Sequence, residues 1–281
     1  MVLLLGVLYS AFAGAVEGTV ISLSDPARVY EPGSVVEFWK EEQRVGSAAE
    51  VYLGQKPIDW RQSRHGVVNI GYSDKPYWFR FQLQNTTDHE EWYLLIDLPL
   101  TRSLDVYQLR GGHLENFYHL GDRFEFNARP VDHRSFVIPL TLAGNEQHTM
   151  YVRIDNAYSL QFPVYIVEKN RFLKQEITTH LLHGAFFGFL VIMMFYNGFL
   201  FFSTRDLSYL YYVCFTLSIG LFQFSQHGFG YQYLWPSEIW FQHRAAPVFC
   251  SSAFVFGALF VQSFLNTRLV APGYHRYING F

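Results

Sequence analysis

From residue 18 to about residue 167, apolar and polar side chains alternate with a period of two. Tyr77, Phe79, Phe81 and Leu83 fall on one side of such a stretch, and Trp78, Arg80, Gln82 and Gln84 on the other. Trp92, Leu94, Ile96 and Leu98 repeat the pattern, as do Phe136, Ile138, Leu140 and Leu142, and then Met150, Val152 and Ile154. A strand turns successive side chains to opposite faces, so each stretch predicts a half-buried strand. Asn85-Thr86-Thr87-Asp88, Arg110-Gly111-Gly112 and Ala143-Gly144-Asn145 supply the turns between them. Short strands with such turns predict an all-β sandwich or jelly roll over residues 17–168, interrupted by a short helix within 46–53.

Beyond residue 167 the period is lost and long apolar runs take over. Residues 168–176 carry several charges and predict, with the residues up to 180, a helical connector (169–180). Residues 181–202 then contain no Asp, Glu, Lys or Arg, which is enough to cross a hydrocarbon layer of about 30 Å. Two more spans are expected at 209–227 and 247–265, separated by a polar loop at 238–244. The predicted architecture is thus a β domain followed by an α-helical transmembrane bundle with three spans present. Residues 1–15 are apolar and end in Ala11-Phe12-Ala13 or Ala13-Gly14-Ala15, as a signal peptide does, although no Lys or Arg precedes the apolar stretch. Export of the β domain would put it in the periplasm and make the protein a multi-pass component of the inner membrane. The loop at Arg205 and the segment 266–281 are then cytoplasmic, and 228–246 lies outside.

Composition sharpens this division. The 281 residues are 50% hydrophobic and 19% aromatic but only 16% charged, against about a quarter charged in a soluble chain; the deficit lies between 181 and 265. A net charge of −3 without a basic run excludes nucleic acid as a partner. Cys214 and Cys250 both lie in the apolar half, so the β domain has no disulfide. Its histidines have no metal-ligand spacing, and the chain has no phosphate loop, nucleophile elbow or paired-carboxylate signature. The expectation is a non-enzyme with neither metal nor cofactor. The spans lack the intramembrane charges of a pump or transporter.

Candidate chemistry is confined to the polar strand faces. Trp78, Arg80 and Arg153, with Asp97 and Asp155 on similar faces, offer directional hydrogen bonds and a stacking surface for a small polar ligand such as a carbohydrate. Cross-strand ion pairing explains the same residues more simply. In the spans, Gly184 with Gly188 and Ala253 with Gly257 have the small-residue spacing of close helix packing, in the bundle or in a homodimer within the lipid bilayer.

Several segments, in order, resemble the bacterial seven-transmembrane receptors with diverse intracellular signalling modules (7TMR-DISM). Asn69-Ile70-Gly71, Tyr77-Trp78-Phe79-Arg80-Phe81, Asn85-Thr86, Trp92-Tyr93-Leu94-Leu95-Ile96, Leu104-Asp105-Val106-Tyr107 and Tyr151-Val152-Arg153-Ile154 are similar to its type-2 extracellular domain. Tyr196-Asn197 and Ser203-Thr204-Arg205-Asp206, leading into Tyr209-Leu210-Tyr211-Tyr212, are similar to its membrane region. The resemblance implies a jelly-roll domain that binds carbohydrate or another small ligand. It also implies a helix bundle that relays the signal to a cytoplasmic module, often a diguanylate cyclase or histidine kinase. With three spans and no such module, the chain reads as a truncated receptor. The competing reading is a membrane-anchored carbohydrate-binding envelope protein without signalling.

Overall fold

The computed structural model describes residues 20–42, 45, 47–55, 57–63, 68–156 and 159–265. The signal peptide expected at 1–15 and the cytoplasmic end expected at 266–281 lie outside the described residues. The chain forms two compact units. One gathers Met1–Leu94, Thr101–Leu120 and Leu140–Ile166; the other gathers Leu95–Leu100, Gly121–Pro139 and Val167–Phe281.

The sheet-rich region is sandwich-like, as the alternation predicts. In chain order, the described strands are β1 (Val20–Leu23), β2 (Glu37–Lys40), β3 (Arg61–Gln62), β4 (Val68–Tyr72), β5 (Tyr77–Asn85) and β6 (Glu91–Ile96). They continue with β7 (Ser103–Arg110), β8 (His113–Leu120), β9 (Phe136–Thr141), β10 (Gln147–Asp155), β11 (Ser159–Phe162) and β12 (Val164–Glu168). The main sheet runs β3-β2-β5-β10-β7-β8; β12-β6-β9 and β11-β4 form smaller sheets. Two short strands share one edge of β5: β2 pairs antiparallel with Tyr77–Arg80, and β1 pairs parallel with Gln82–Asn85.

Local chemistry fixes the turns. Arg110 faces His113 across the β7–β8 hairpin, so only Gly111 and Gly112 make the turn. Their φ values of 56° and 82° suit the mirror-image turn that matches strand twist, and two glycines adopt them without Cβ strain. At the end of β5 the fully buried Asn85 fills its amide. It donates to the carbonyls of His89 (2.7 Å) and Leu142 (2.8 Å) and accepts from Thr87 N–H (3.0 Å) and the Thr87 hydroxyl (2.8 Å). The inward face of the sheet sets Phe79 beside Val152 and Val152 beside Val106, all fully buried. Phe79 also stacks on Phe162 at 4.1 Å between ring centroids. Each such side chain contributes about 1.5–3 kcal/mol through its removal from water.

Three long helices follow the short α1 (Ala48–Tyr52): α2 (Lys169–Thr204), α3 (Leu207–Gln226) and α4 (Ile239–Phe264). All three are long and apolar enough to cross a membrane. The connector and first span expected separately form one helix of 36 residues, because nothing between 169 and 181 breaks helical geometry. Glu168 caps its start by accepting from Arg171 N–H at 2.9 Å. Its end is set by Arg205 in the left-handed region (φ 59°), and Asp206 caps α3 by accepting from Ser208 N–H at 2.8 Å.

Helix α4 begins at Ile239, so most of the loop expected at 238–244 is helical. One of its polar residues is packed: Gln242, 4% exposed, accepts from the Trp235 indole N–H at 2.7 Å. Pro247 reads in the sequence as a helix start but lies inside α4, where its ring nitrogen has no hydrogen to give the preceding turn. Of the small residues expected to pack helices, Ala253 is buried and Gly257 lies against Phe215. Gly184 and Gly188 have open space where a Cβ would stand. A Cβ at Gly257 would meet the Phe215 ring at 3.3 Å. Gly257→Leu is therefore expected to weaken α3–α4 packing by about 1–3 kcal/mol, seen as a lower melting temperature in detergent. An unchanged melt would refute the tight contact.

Candidate functional site

Register builds the polar face of the main sheet into two cross-strand rows. Across β2, β5, β10, β7 and β8 the first row reads Trp39, Trp78, Arg153, Asp105 and His119. The second reads Glu37, Arg80, Tyr151, Tyr107 and Phe117. Side chains directly opposite one another on a sheet face are within reach of contact, and here they set charged groups beside aromatic surface.

A residue outside both rows organises the first. Glu41, 3% exposed, follows β2 and accepts from the Trp78 indole N–H at 2.8 Å, from Arg153 Nε at 2.8 Å and from Val45 N–H at 3.2 Å. Burial alone would raise its carboxyl, but the Arg153 and Trp78 hydrogen bonds, the Val45 N–H and the Arg153 charge hold it below the usual carboxylate value. Burial acts against the Arg153 charge too, yet Glu41 and Asp105 keep the guanidinium more firmly protonated than usual. Arg153 reaches Asp105 at 3.4 Å, and Asp105 pairs with the half-exposed His119.

The second row is covered by aromatics. Arg80 pairs with Glu37 at 2.5 Å and lies 4.4 Å over the Trp60 ring. Trp60 meets Tyr151 edge-on, and Tyr107 stacks on both Trp78 and Phe117. Burial, with the Asp105 charge, pushes the Tyr107 hydroxyl well above the ordinary tyrosine value. The structure thus brings together three of the residues singled out in the sequence: Trp78, Arg80 and Arg153. Asp155 stands two positions beyond Arg153, opposite Ser103. Asp97 belongs to the other unit, where it accepts from the Ser135 hydroxyl at 2.5 Å and lies 3.6 Å from Arg134. Glu37 and Glu41 escape the sequence reading because neither shares a strand with its partner; a lone acidic residue beside a strand carries no period.

Beside β2 and β3 a cleft of about 210 Å³ is lined by Phe38, Trp39, Lys40, Glu42, Asp59, Arg61 and Tyr77. It combines exposed charges of both signs with three aromatic rings. Among the described residues, no group of three or more His, Cys, Asp and Glu could hold a metal ion.

The helical unit has a polar cluster of its own. Residues 121–139, the stretch after β8 together with the first part of β9, belong to this unit. His133 Nε2 lies 2.9 Å from the Glu176 carboxylate of α2. Phe126 N–H donates to the Pro236 carbonyl at 2.9 Å, and the Gln232 amide donates to Asp132 at 2.9 Å. The Tyr231 hydroxyl donates to the Phe124 carbonyl, and His243 lies 3.2 Å from Asp122. Gly228, at φ +80°, passes so close to Arg134 and Pro99 that no side chain fits between them. Only the sum of these contacts identifies the segment; its sequence resembles any long loop.

No curated protein matches the chain. Solved structures with partial likeness include a family GH115 4-O-methyl-α-glucuronidase with specificity for decorated arabinogalactans (16% identity, 38% of this chain, 14% of that one, TM-score 0.23). Others are a β-glucosidase from Kluyveromyces marxianus in complex with glucose (10%, 47%, 15%, 0.27) and the insecticidal δ-endotoxin Cry8Ea1 from Bacillus thuringiensis (14%, 31%, 17%, 0.19). The chain spans under a fifth of each of these proteins, and at such TM-scores they bear on neither fold nor function. Two family models match in order: 7TMR-DISM extracellular 2 over residues 33–168, and 7TM diverse intracellular signalling over residues 179–281. The first takes in the sheet-rich region and the second the three apolar helices, so the chain belongs to the 7TMR-DISM family, as a multi-pass transmembrane sensor.

Proposed function

We propose that the sheet-rich unit is a periplasmic sensor of a small polar ligand, carbohydrate in class, whose binding is relayed through the helices of an inner-membrane receptor. The observation that carries the ligand reading is the cleft beside β2 and β3. Phe38, Trp39 and Tyr77 give it apolar ring surface, while Lys40, Glu42, Asp59 and Arg61 give it donors and acceptors. Sugars bind by this combination, with ring faces against C–H surfaces and fixed hydrogen bonds to hydroxyls. Trp78, Arg80 and Arg153 support the cleft from the adjoining rows, holding β2 and the segment after it against β5 and β10. Signalling then requires the ligand to bind one of two arrangements of the protein more tightly than the other.

Titration calorimetry of the purified chain in nanodiscs against neutral and acidic oligosaccharides tests this. Arg61 is exposed and 3.8 Å from Asp59, so Arg61→Ala is expected to weaken binding about tenfold or more, as loss of a charged hydrogen bond does, without a change in melting temperature. If no saccharide binds the wild type, or if Arg61→Ala binds equally well, the cleft is not the site. Binding that leaves the exchange of residues 121–139 unaltered would favour the anchored, non-signalling module.

A further inference from the structure

We propose that the groove between α2 and α3 is a second ligand site, which takes up a small lipophilic alcohol from the hydrocarbon layer. The groove has a volume of about 230 Å³. On α2 it is lined by Phe187, Leu190 and Met194, and on α3 by Thr216, Gly220 and Phe224. Each set recurs at intervals of three or four and so lies on one helix face. The two helices run antiparallel here. Phe187 meets Phe224 at 5.0 Å between ring centroids, and a Leu190 methyl lies 3.5 Å from where a Cβ of Gly220 would stand. Met194 and Thr216 line the groove one turn deeper. A dry apolar cavity of about 150 Å³ takes up benzene, so this one has room for a somewhat larger molecule.

One hydroxyl decides the chemistry. Thr216, 6% exposed, stands midway along α3, and the other side chains lining the groove carry no hydrogen-bonding nitrogen or oxygen. The buried serines of α3 are all partnered. Ser218 donates to the Cys214 carbonyl and Ser225 to the Leu221 carbonyl, each at 2.8 Å, and Ser208 meets the Ser263 hydroxyl at 2.9 Å. Among the described residues the Thr216 hydroxyl has no such partner. In hydrocarbon that is costly, because neither water nor an acyl chain can supply one. An occupant with an oxygen at this level does. A threonine hydroxyl both donates and accepts, so an alcohol completes the bond in either direction, whereas a carboxylate would bring a charge to mid-membrane. Val191 and Leu217 also line the groove and are 42% and 46% exposed, so it opens sideways toward the layer that these helices cross. A bound molecule touches α2 and α3 together. It therefore acts on the packing of the first span against the second, whatever the sheet-rich unit has bound.

Photolabelling of the full chain in nanodiscs with a diazirine-bearing octanol, mapped by mass spectrometry, tests this without any saccharide. Labelling should saturate and concentrate on residues 187–194 and 216–224. Unlabelled octanol should displace the probe at an about fivefold lower membrane concentration than octane does, the gain expected of one hydrogen bond. Thr216→Val keeps the shape and removes the hydroxyl; it should abolish the advantage of octanol over octane and leave the melting temperature unchanged. Gly220→Leu fills the groove and should remove the saturable labelling. Labelling that never saturates and falls equally on exposed positions such as Phe199 and Phe254 means partition into the membrane only, and overturns the proposal. An advantage of octanol that survives Thr216→Val overturns it as well. So does an unlabelled groove across which Val191→Cys cross-links two copies, because a second chain's helix then occupies it. If Gly220→Leu does not fold, the wild type and Thr216→Val decide.

Discussion

Glu41→Ala is expected to destabilise the sheet-rich unit by about 3 kcal/mol or more, the usual cost of removing one partner from a buried ion pair. The loss is large because one carboxylate serves three donors. Without it the Trp78 indole N–H is buried beside an alanine, Val45 N–H loses its acceptor, and Arg153 keeps only Asp105 at 3.4 Å. Denaturant unfolding, followed by tryptophan fluorescence, measures the change; a difference under about 1 kcal/mol would mean that the network forms only weakly in solution. The pH dependence has a definite sign. The folded carboxyl titrates below its unfolded value. The stability it contributes is therefore complete above the unfolded value and is lost as pH falls through the folded one. Acidification from pH 7 to pH 3 should then cost the wild type more than it costs Glu41→Gln.

Gly228→Ala should act on the helical unit. At φ +80° an L-residue is strained, and the added Cβ would stand 2.7 Å from the Arg134 carbonyl oxygen and 2.8 Å from Pro99 Cβ. Neither neighbour is the far end of a flexible side chain, so backbone must move. The combined cost is about 2–4 kcal/mol. It should be concentrated where residues 121–139 meet residues 228–236, with faster amide exchange in both. The Trp78–Glu41 region should exchange as in the wild type. Unchanged exchange in 121–139 would show that the close approach at Gly228 is not maintained.

These two positions also mark what the sequence discloses and what it withholds. Alternation places Phe79, Phe81 and Leu83 on the buried face of β5, and the charge-free run at 181–202 identifies a span, because burial in a core or in lipid imposes a period or a composition. The same alternation assigns Trp78 and Arg80 to the opposite face, which is correct. It suggests a solvated surface there, whereas Trp78 is 1% exposed beneath Glu41, Trp39 and Trp60. What covers that face is a loop and a five-residue helix, and irregular chain has no period by which to announce its burial. Arg80 therefore holds Glu37 and Trp60, and its truncation would be felt in stability before ligand affinity. The His133–Glu176 contact joins residues 43 positions apart, a separation at which only the folded arrangement reveals a pair.

The start of α2 has a mechanical consequence. Glu168 is both the last residue of β12 and the cap of the helix, so no slack chain separates the strand from the span. Thirty-six residues at 1.5 Å each make a rod of about 54 Å, against a hydrocarbon layer of about 30 Å. The rod's length then fixes a phase, since each residue advances the helix by about 100°. The angle at which Phe201 and Thr204 leave the rod is set by the number of residues between them and Glu168, as the reading of a dial is set by the length of its thread.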